Sequence, residues 1–237
     1  MEVLPFDHLV LILRDRLVDL APSFEEDGYC LTDLATHNLG SSNRLIMLRD
    51  SYIELLGWPQ GRPPARKEIA DLPAGLDALV FRSTDAQQTY EHLKRLQFDV
   101  NPVQHLERPC TIDGKSHRVR FATVRFATQP IQGFRVYFCQ HLTPEYVWMG
   151  RFMRHANGAR ALDTIEVRAK HSEAVAQTLA ALTHADAQRA EGQAYRVALP
   201  NLNIDIVPDA AAVNARIDAA ILSGDPGRRW RFNTKLP

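Results

Sequence analysis

His8 and Glu54 carry the side chains that most readily do chemistry in this sequence. Glu54 stands in the apolar run 52–56, where burying an unpaired carboxylate is costly. It therefore needs a partner, which could be a metal ion, His8 or a bound substrate. If burial raises its pKa, Glu54 could also serve as a general base. His8 stands in a short run of β-forming residues.

Further polar side chains are candidates for the same site. His141 lies two residues beyond Cys139, so on a continuing strand the two face the same side. If His141 instead starts a loop, it orients a substrate or a backbone carbonyl. Cys139 is a weak candidate nucleophile, because only His141 is near enough to lower the pKa of its thiol. Trp148 is either an aromatic lid on a pocket or part of a packed linker.

A polar loop at 36–43 carries His37 and Asn43 between apolar segments. One hypothesis is a pocket rim that contacts a ligand through these two side chains. The other is a turn in which Asn and Ser side chains bond their own backbone.

One short pattern recurs three times: an apolar residue, an aspartate, a variable residue and two further residues that fit a strand. The aspartates are Asp7, Asp77 and Asp163, separated by 77 − 7 = 70 and 163 − 77 = 86 residues. A repeat of this length indicates a repeated structural unit. Helical spacing and then strand-like runs follow each copy, so the unit is predicted to be βαβββ.

These patterns predict an α+β fold built from repeated modules. The predicted units are a first module at 1–58, a linker at 59–74, a second module at 75–147, a linker at 148–160, a partial third module at 161–208, and a C-terminal helix and tail at 209–237. The last helix is predicted to be capped by Asp209 and to run through Val213, Ile217 and Ile221. Thr84 or Asp85 is predicted to cap the second module's helix, and Ser172 the third's.

Composition excludes several classes of protein. Of 237 residues, 28 are Lys or Arg and 28 are Asp or Glu, so the formal net charge is zero and no nucleic-acid or membrane partner is expected. The three cysteines form no CxxC pair, which argues against a disulfide framework or a zinc ribbon. No apolar run is long enough to cross a membrane, and we expect a cytoplasmic protein.

The motifs resemble the glyoxalase-like proteins of the vicinal-oxygen-chelate superfamily. The resemblance rests on the runs 7–10, 37–43, 52–56, 139–145 and 155–159, with Trp148. It implies two βαβββ modules that curl their sheets into a cup. In metal-using members each module offers one ligand from its first strand and one from its last. Many members bind a ligand without metal, and members often form homodimers.

On this resemblance, His8 and Glu54 take the two ligand positions of the first module. Ala78 and Cys139 take those of the second and leave the set short of the three protein ligands usual for a catalytic metal. His141 would complete a set of two histidines and one carboxylate for Fe, Mn, Ni or Zn.

Three functions remain open. The first is a metal-dependent lyase, isomerase or dioxygenase that acts on a substrate with neighbouring oxygens, with Glu54 and His37 as catalytic residues and His37, Asn43, Cys139 and Trp148 contacting the substrate. The second is a metal-free protein that binds or sequesters a small molecule. The third is a scaffold with a vestigial pocket.

Overall fold

The computed structural model describes residues 2–37, 40–64, 67–112, 114–225 and 227–236. Asn38 and Leu39 of the predicted rim, and residues 65–66 of the predicted linker, lie outside the described residues. The strands are β1 (Phe6–Arg14), β2 (Ala35–Thr36), β3 (Ser42–Met47), β4 (Tyr52–Gly57), β5 (Gly75–Arg82), β6 (Gln104–Ile112), β7 (Lys115–Arg125), β8 (Arg135–His141), β9 (Ala159–Ala169), β10 (Ala187–Arg189), β11 (Tyr195–Ala198), β12 (Asn203–Pro208), β13 (Arg216–Gly224) and β14 (Arg228–Arg231). The helices are α1 (Leu17–Glu26), α2 (Lys67–Ala70), α3 (Ala86–Arg95) and α4 (Ser172–Thr183).

The first two modules share one eight-stranded mixed sheet in the order β2-β3-β4-β1-β5-β8-β7-β6. Strands β1 and β5 pair antiparallel at its centre, and each pairs parallel with the last strand of its own module. The edge strands β2 and β6 approach each other, so the sheet forms a nearly closed barrel. The predicted cup built from paired modules is confirmed.

Alternation along β1 separates the two faces of this sheet. Leu9 and Leu11 join a large apolar cluster outside the cup, whereas Val10 and Ile12 join a second cluster on the cup side. Since strand side chains alternate, His8 shares the cup-facing side with Val10. The outer cluster also includes Ile165 and other residues of the second sheet, so the two sheets share one core.

The helices largely follow the predicted patterns. Helix α1 contains Pro22 in its second turn and buries Leu17, Ala21 and Phe24. The Asp85 side chain caps α3 by accepting a 3.0 Å hydrogen bond from the Gln88 backbone N–H. The capping role predicted for Ser172 is wrong: Ser172 is the first residue of α4 and makes no cap bond. None of the helices in the described ranges is long and apolar enough to cross a membrane.

The third module is complete, which corrects the prediction of a partial one. Strand β9, helix α4 and strands β10, β11 and β12 form it, and β12 pairs parallel with β9 as β4 does with β1. Strand β13 then pairs antiparallel with β9, as β5 does with β1, and β14 closes the six-stranded second sheet.

The predicted C-terminal helix is wrong, because 216–224 forms strand β13. A register shift between Ile217 and Ala219 interrupts the alternation of side chains along β13. The apolar residues of this strand therefore have a spacing in the sequence that resembles that of a helix. Val213, predicted to lie on the apolar face of that helix, is 94% exposed. Asp209 does not cap a helix; its carboxylate accepts from the Ala211 backbone N–H at 3.0 Å and closes a turn.

Candidate functional site

The cup of the eight-stranded sheet contains a narrow cavity of about 60 Å³ that is open at one mouth. Its walls come from both modules and combine apolar and titratable side chains. The lining residues are His8, His37, Ser41, Asn43, Leu45, Tyr52, Glu54, Leu56, Ile69, Leu106, Arg108, Phe121, Thr123, Arg125, Arg135, Tyr137 and Cys139.

The imidazole of His8 is held on both sides and is 4% exposed. Its Nδ1 lies 2.7 Å from the Asp7 carboxylate, to which it donates, so in the neutral ring Nε2 is the acceptor nitrogen. The Tyr137 hydroxyl donates to Nε2 at 3.1 Å, and Glu54 Oε2 lies 3.7 Å from the same nitrogen. The ring also stacks on Tyr52, with centroids 4.4 Å apart. His8 therefore presents a fixed proton acceptor to the cavity.

Asp7 is fully buried behind His8 and has several partners. Its carboxylate also accepts from His141 Nε2 at 3.0 Å and from Arg82 Nε at 3.0 Å. Burial alone raises the pKa of Asp7, but attraction and hydrogen bonds from His141 and His8 outweigh it and hold the pKa well below its ordinary value. Asp7 is thus a permanent anion that orients two imidazoles. From the sequence, Asp7 is recognisable only as one of the three repeated aspartates.

Glu54 lies beside His8, as the alternation of β1 and β4 predicts. Its Oε1 accepts a 2.6 Å hydrogen bond from Asn43 Nδ2. Burial raises the pKa of Glu54, but attraction to His8, His37 and Arg125 and the Asn43 bond lower it further, so the net shift is downward. The raised pKa considered for a general base is therefore wrong. Glu54 is an ionised carboxylate and a weak base.

Three predicted ligand-contact residues, His37, Asn43 and Cys139, lie at the cavity wall. His37 and Asn43 both line the cavity, and Asn43 Nδ2 lies 3.1 Å from His37 Nε2. Cys139 also lines it and is 3% exposed. Burial, reinforced by the Asp7 charge, raises the pKa of the Cys139 thiol well above its ordinary value, so the thiol stays protonated. These residues are positioned for contact, and Cys139 is a poor nucleophile.

His141 and Trp148 lie outside the cavity lining, so the predicted set of His8, Glu54 and His141 is not assembled. His141 turns its Nε2 to Asp7, and its ring packs against Trp148 with centroids 4.7 Å apart. The Arg82 guanidinium lies 5.0 Å from the Trp148 ring centroid. The strand does continue through His141, but its side chain is bonded to Asp7 instead of lining the cavity. Substrate contact by Trp148 within the cup is likewise not supported.

The pairing of β1 with β5 fixes which residues are equivalent in the two modules. Aligning the repeated Asp7 and Asp77 relates His8 to Ala78 and Val10 to Val80, which corresponds to a two-fold axis at the pair Leu9–Leu79. Because Glu54 pairs with Val10 and Tyr137 with Val80, Tyr137 is the counterpart of Glu54. The assignment of Cys139 to this position is wrong by two residues.

The donor set does not fit a catalytic divalent metal. Ala78 offers no donor, and burial raises the pKa of the Tyr137 phenol, which keeps it neutral and a poor ligand. His8 and Glu54 are then the two strong donors, where a catalytic site normally holds three. Arginine side chains already bring positive charge to the same cavity.

A second cluster also fails this test. The ligand atoms of Asp7, Cys139 and His141 lie within 4.8 Å of one another. However, the Asp7 carboxylate already accepts from two imidazoles and from the Arg82 guanidinium, and the Cys139 thiol stays protonated. Thiolate rather than thiol binds metals, so these residues form a hydrogen-bonded network.

Three arginines of the second module were missed by the sequence analysis. Arg108, Arg125 and Arg135 line the cavity from β6, β7 and β8. Arg135 Nε donates to Asp77 at 2.6 Å, and the Arg125 guanidinium lies 4.2 Å from the Tyr137 ring centroid. Each arginine lies on a different strand, so it can be assigned to the cavity only when the inward-facing side of that strand is known.

Two βαβββ modules paired around a titratable cavity define the vicinal-oxygen-chelate superfamily, and this chain has that fold. A family model described as a glyoxalase-like domain matches residues 6–183 of the 237. The chain therefore belongs to the glyoxalase-like domain family. No curated protein matches the sequence significantly.

Solved structures share the fold at low sequence identity. A hypothetical protein from Staphylococcus aureus aligns with a TM-score of 0.71 and 16% identity, covering 98% of this chain and 99% of that one. A triple mutant of 4-hydroxymandelate synthase from Streptomyces coelicolor has a TM-score of 0.51 and 13% identity, covering 88% of this chain and 63% of that one. A xylose isomerase-like TIM barrel/4-hydroxyphenylpyruvate dioxygenase fusion protein has a TM-score of 0.54 and 14% identity, covering 87% and 33%.

Proposed function

We propose that this protein is a metal-independent enzyme that moves a proton on a small molecule bound in the cup. The observation that carries the proposal is the fixed imidazole of His8. Nδ1 of His8 lies 2.7 Å from Oδ1 of Asp7, and Nε2 of His8 faces the cavity beside Glu54. A histidine oriented by a buried carboxylate is a recurrent general base, because the carboxylate fixes the tautomer and stabilises the imidazolium that forms.

The proposed step is proton abstraction from a carbon next to a carbonyl group. Nε2 of His8 takes the proton, the C–H bonding pair becomes the C=C bond of an enolate, and the π pair of the carbonyl moves to its oxygen. The imidazolium then returns the proton to the same or a neighbouring carbon. Asp7 and Glu54 stabilise the imidazolium, and the positive charge that Arg125 brings to the cavity wall favours the enolate.

Loss of the His8 base is the direct test. Carbonyl compounds with an acidic C–H are incubated with the protein in D2O, and deuterium incorporation is followed by NMR. We expect His8→Gln to slow the exchange by roughly 10²- to 10⁴-fold, the usual contribution of a general base. The matched control is His105→Gln, because His105 is exposed and does not line the cavity.

Two results would contradict the proposal. One is exchange at the wild-type rate in His8→Gln. The other is exchange that chelator abolishes and one equivalent of Fe, Mn, Ni or Zn restores, since this would return His8 and Glu54 to the role of metal ligands.

A second candidate is a protein that sequesters a small molecule without changing it. It is favoured by the low pKa of Glu54 and by Ala78, which removes one functional position of the second module. One-to-one binding that raises the thermal unfolding temperature, with no deuterium exchange in the bound compound, would support this candidate over the enzyme.

A further inference from the structure

Arg108 is a buried cation at the wall of the cavity. The residue is 8% exposed, and its Nε is fully buried with no hydrogen-bond partner. Within the described ranges no ion pair joins its guanidinium to a carboxylate. A buried N–H without an acceptor carries a desolvation cost that a bound acceptor would remove. Arg108 therefore marks a place for an anionic group.

The neighbouring guanidiniums are matched by charges of the protein itself. Arg135 is bonded to Asp77, and the attraction of Arg125 is directed in part to Glu54. Arg108 is also attracted to Glu54, but unlike Arg135 it has no carboxylate within ion-pair distance in the described part of the chain. The three guanidiniums thus share two carboxylates, Asp77 and Glu54. One additional negative charge in the cavity would satisfy it.

The cavity wall around this cation is apolar. Leu106 stands two residues before Arg108 on β6 and faces the same side, and both line the cavity. The other apolar lining residues are Leu45, Leu56, Ile69 and Phe121. A bound molecule would therefore present one anionic end to Arg108 and a hydrocarbon or aromatic body to this wall.

We propose that the ligand class of the cup is a small monocarboxylate with an apolar body, whose carboxylate pairs with Arg108. This rests on the proposed function, since it names what the cavity takes. A guanidinium matches a carboxylate through two parallel N–H bonds. The apolar walls favour a carboxylate attached to an apolar body over a free inorganic anion.

Matched acid and amide probes test the charge requirement. The purified 237-residue chain is titrated with 3-phenylpropionate, with 3-phenylpropanamide and with inorganic phosphate, and thermal unfolding and calorimetric affinity are measured. We expect the acid alone to raise the unfolding temperature. The amide has the same shape without the charge, and phosphate has the charge without the apolar body.

Substitutions then locate the charge. Arg108→Met keeps the length of the side chain and should weaken acid binding by roughly tenfold or more. Arg108→Lys keeps the charge and should retain part of the affinity. Arg118→Met is the control, because Arg118 lies on β7 with its side chain 71% exposed and should leave the affinity unchanged. If Arg108→Met does not fold, the affinity of Arg108→Lys and the comparison of acid with amide on the wild type still test the carboxylate proposal.

The outcomes separate this inference from the proposed function. Equal binding of acid and amide, or unchanged acid binding in Arg108→Met, overturns the carboxylate class while the cavity remains a ligand site. Stabilisation by phosphate equal to that by the acid also overturns it. If no probe binds and no carbonyl compound exchanges deuterium, the proposed function itself fails.

Discussion

At the scale of single residues, Asp7 controls the site although it does not line the cavity. Its Oδ1 accepts from both His8 and His141, and its Oδ2 accepts from Arg82. The imidazoles of His8 and His141 and the guanidinium of Arg82 all donate to this carboxylate. Replacing it with a neutral group removes the negative charge and weakens all three hydrogen bonds. Such changes in buried networks are among the most destabilising known.

Asp7→Asn is expected to lower the free energy of unfolding by about 3–5 kcal/mol at pH 7. The pKa of Asp7 in the folded protein lies well below the unfolded value of about 4. As the pH falls, the Asp7 carboxylate is therefore protonated in the unfolded chain at a pH where it is still ionised in the folded chain. The stabilisation is complete above about pH 5 and is lost as the pH falls below that value. Urea denaturation at pH 7, 5 and 3.5 measures it.

The control for this prediction is Asp225→Asn. Asp225 forms an ion pair with Arg160 in which both side chains are 64% exposed. Exposed pairs contribute little, so the change should be within about 0.5 kcal/mol. If wild type and Asp7→Asn lose stability in parallel between pH 5 and pH 3.5, Asp7 does not have the depressed pKa.

How much of the site was readable from sequence depends on the strand that carries each residue. His8 and Glu54 were predicted to converge from the resemblance to the glyoxalase-like proteins, because β1 and β4 are apolar on both faces, and they do lie together. Arg108 was missed because β6 is a mostly exposed edge strand containing Pro109, with few apolar residues to reveal its period. Asp7 was missed because a register shift between Phe6 and His8 buries two consecutive polar residues.

At the scale of elements, β4 ends against the start of α1. A Cβ at Gly57 would stand 2.2 Å from the carbonyl oxygen of Arg14 and 2.6 Å from Leu17 Cβ. The bulge of β1 between Ile12 and Arg14 brings this carbonyl close, and it accepts from the Trp58 N–H at 3.0 Å. Glycine is required here for space.

Gly57→Ala is expected to lower the free energy of unfolding by about 1–3 kcal/mol, because backbone must move to admit the methyl group. Gly150→Ala is the matched control, since a Cβ there meets nothing within 4 Å. Its effect should be within about 0.5 kcal/mol. Urea midpoints measure both. Equal midpoints for the two variants would mean that the junction of β4 and α1 relaxes freely.

Elements were predictable where alternation or helical spacing was unbroken. The βαβββ order of the first two modules, α1 with Pro22, and the Asp85 cap all follow from local pattern. The C-terminal region was not predictable, because the alanines at 210–212 favour a helix and the bulge in β13 disguises its period. Pairing with β9, which is distant in sequence, decides the strand.

At the scale of the whole molecule, the two sheets are joined by a shared core and by specific polar bonds. Asn201, in the turn between β11 and β12, accepts from the Phe6 backbone N–H at 2.9 Å and donates to the Phe6 carbonyl at 2.9 Å. It also donates to the Asp50 carbonyl at 3.2 Å. The second sheet thus satisfies the backbone at the start of β1, the strand that carries His8. A homodimer remains a prediction.

Asn201→Ala should lower the free energy of unfolding by about 1–3 kcal/mol, because both polar backbone groups of the buried Phe6 lose their partner. Since the core is shared, unfolding should remain one transition, with coincident curves from circular dichroism and from fluorescence of Trp58 in the first sheet's cluster and Trp230 in the second sheet. Asn233→Ala is the control, because the exposed Asn233 side chain bonds within its own turn. Two separated transitions in the wild type would mean that the cup folds independently, and the site would then not depend on the third module.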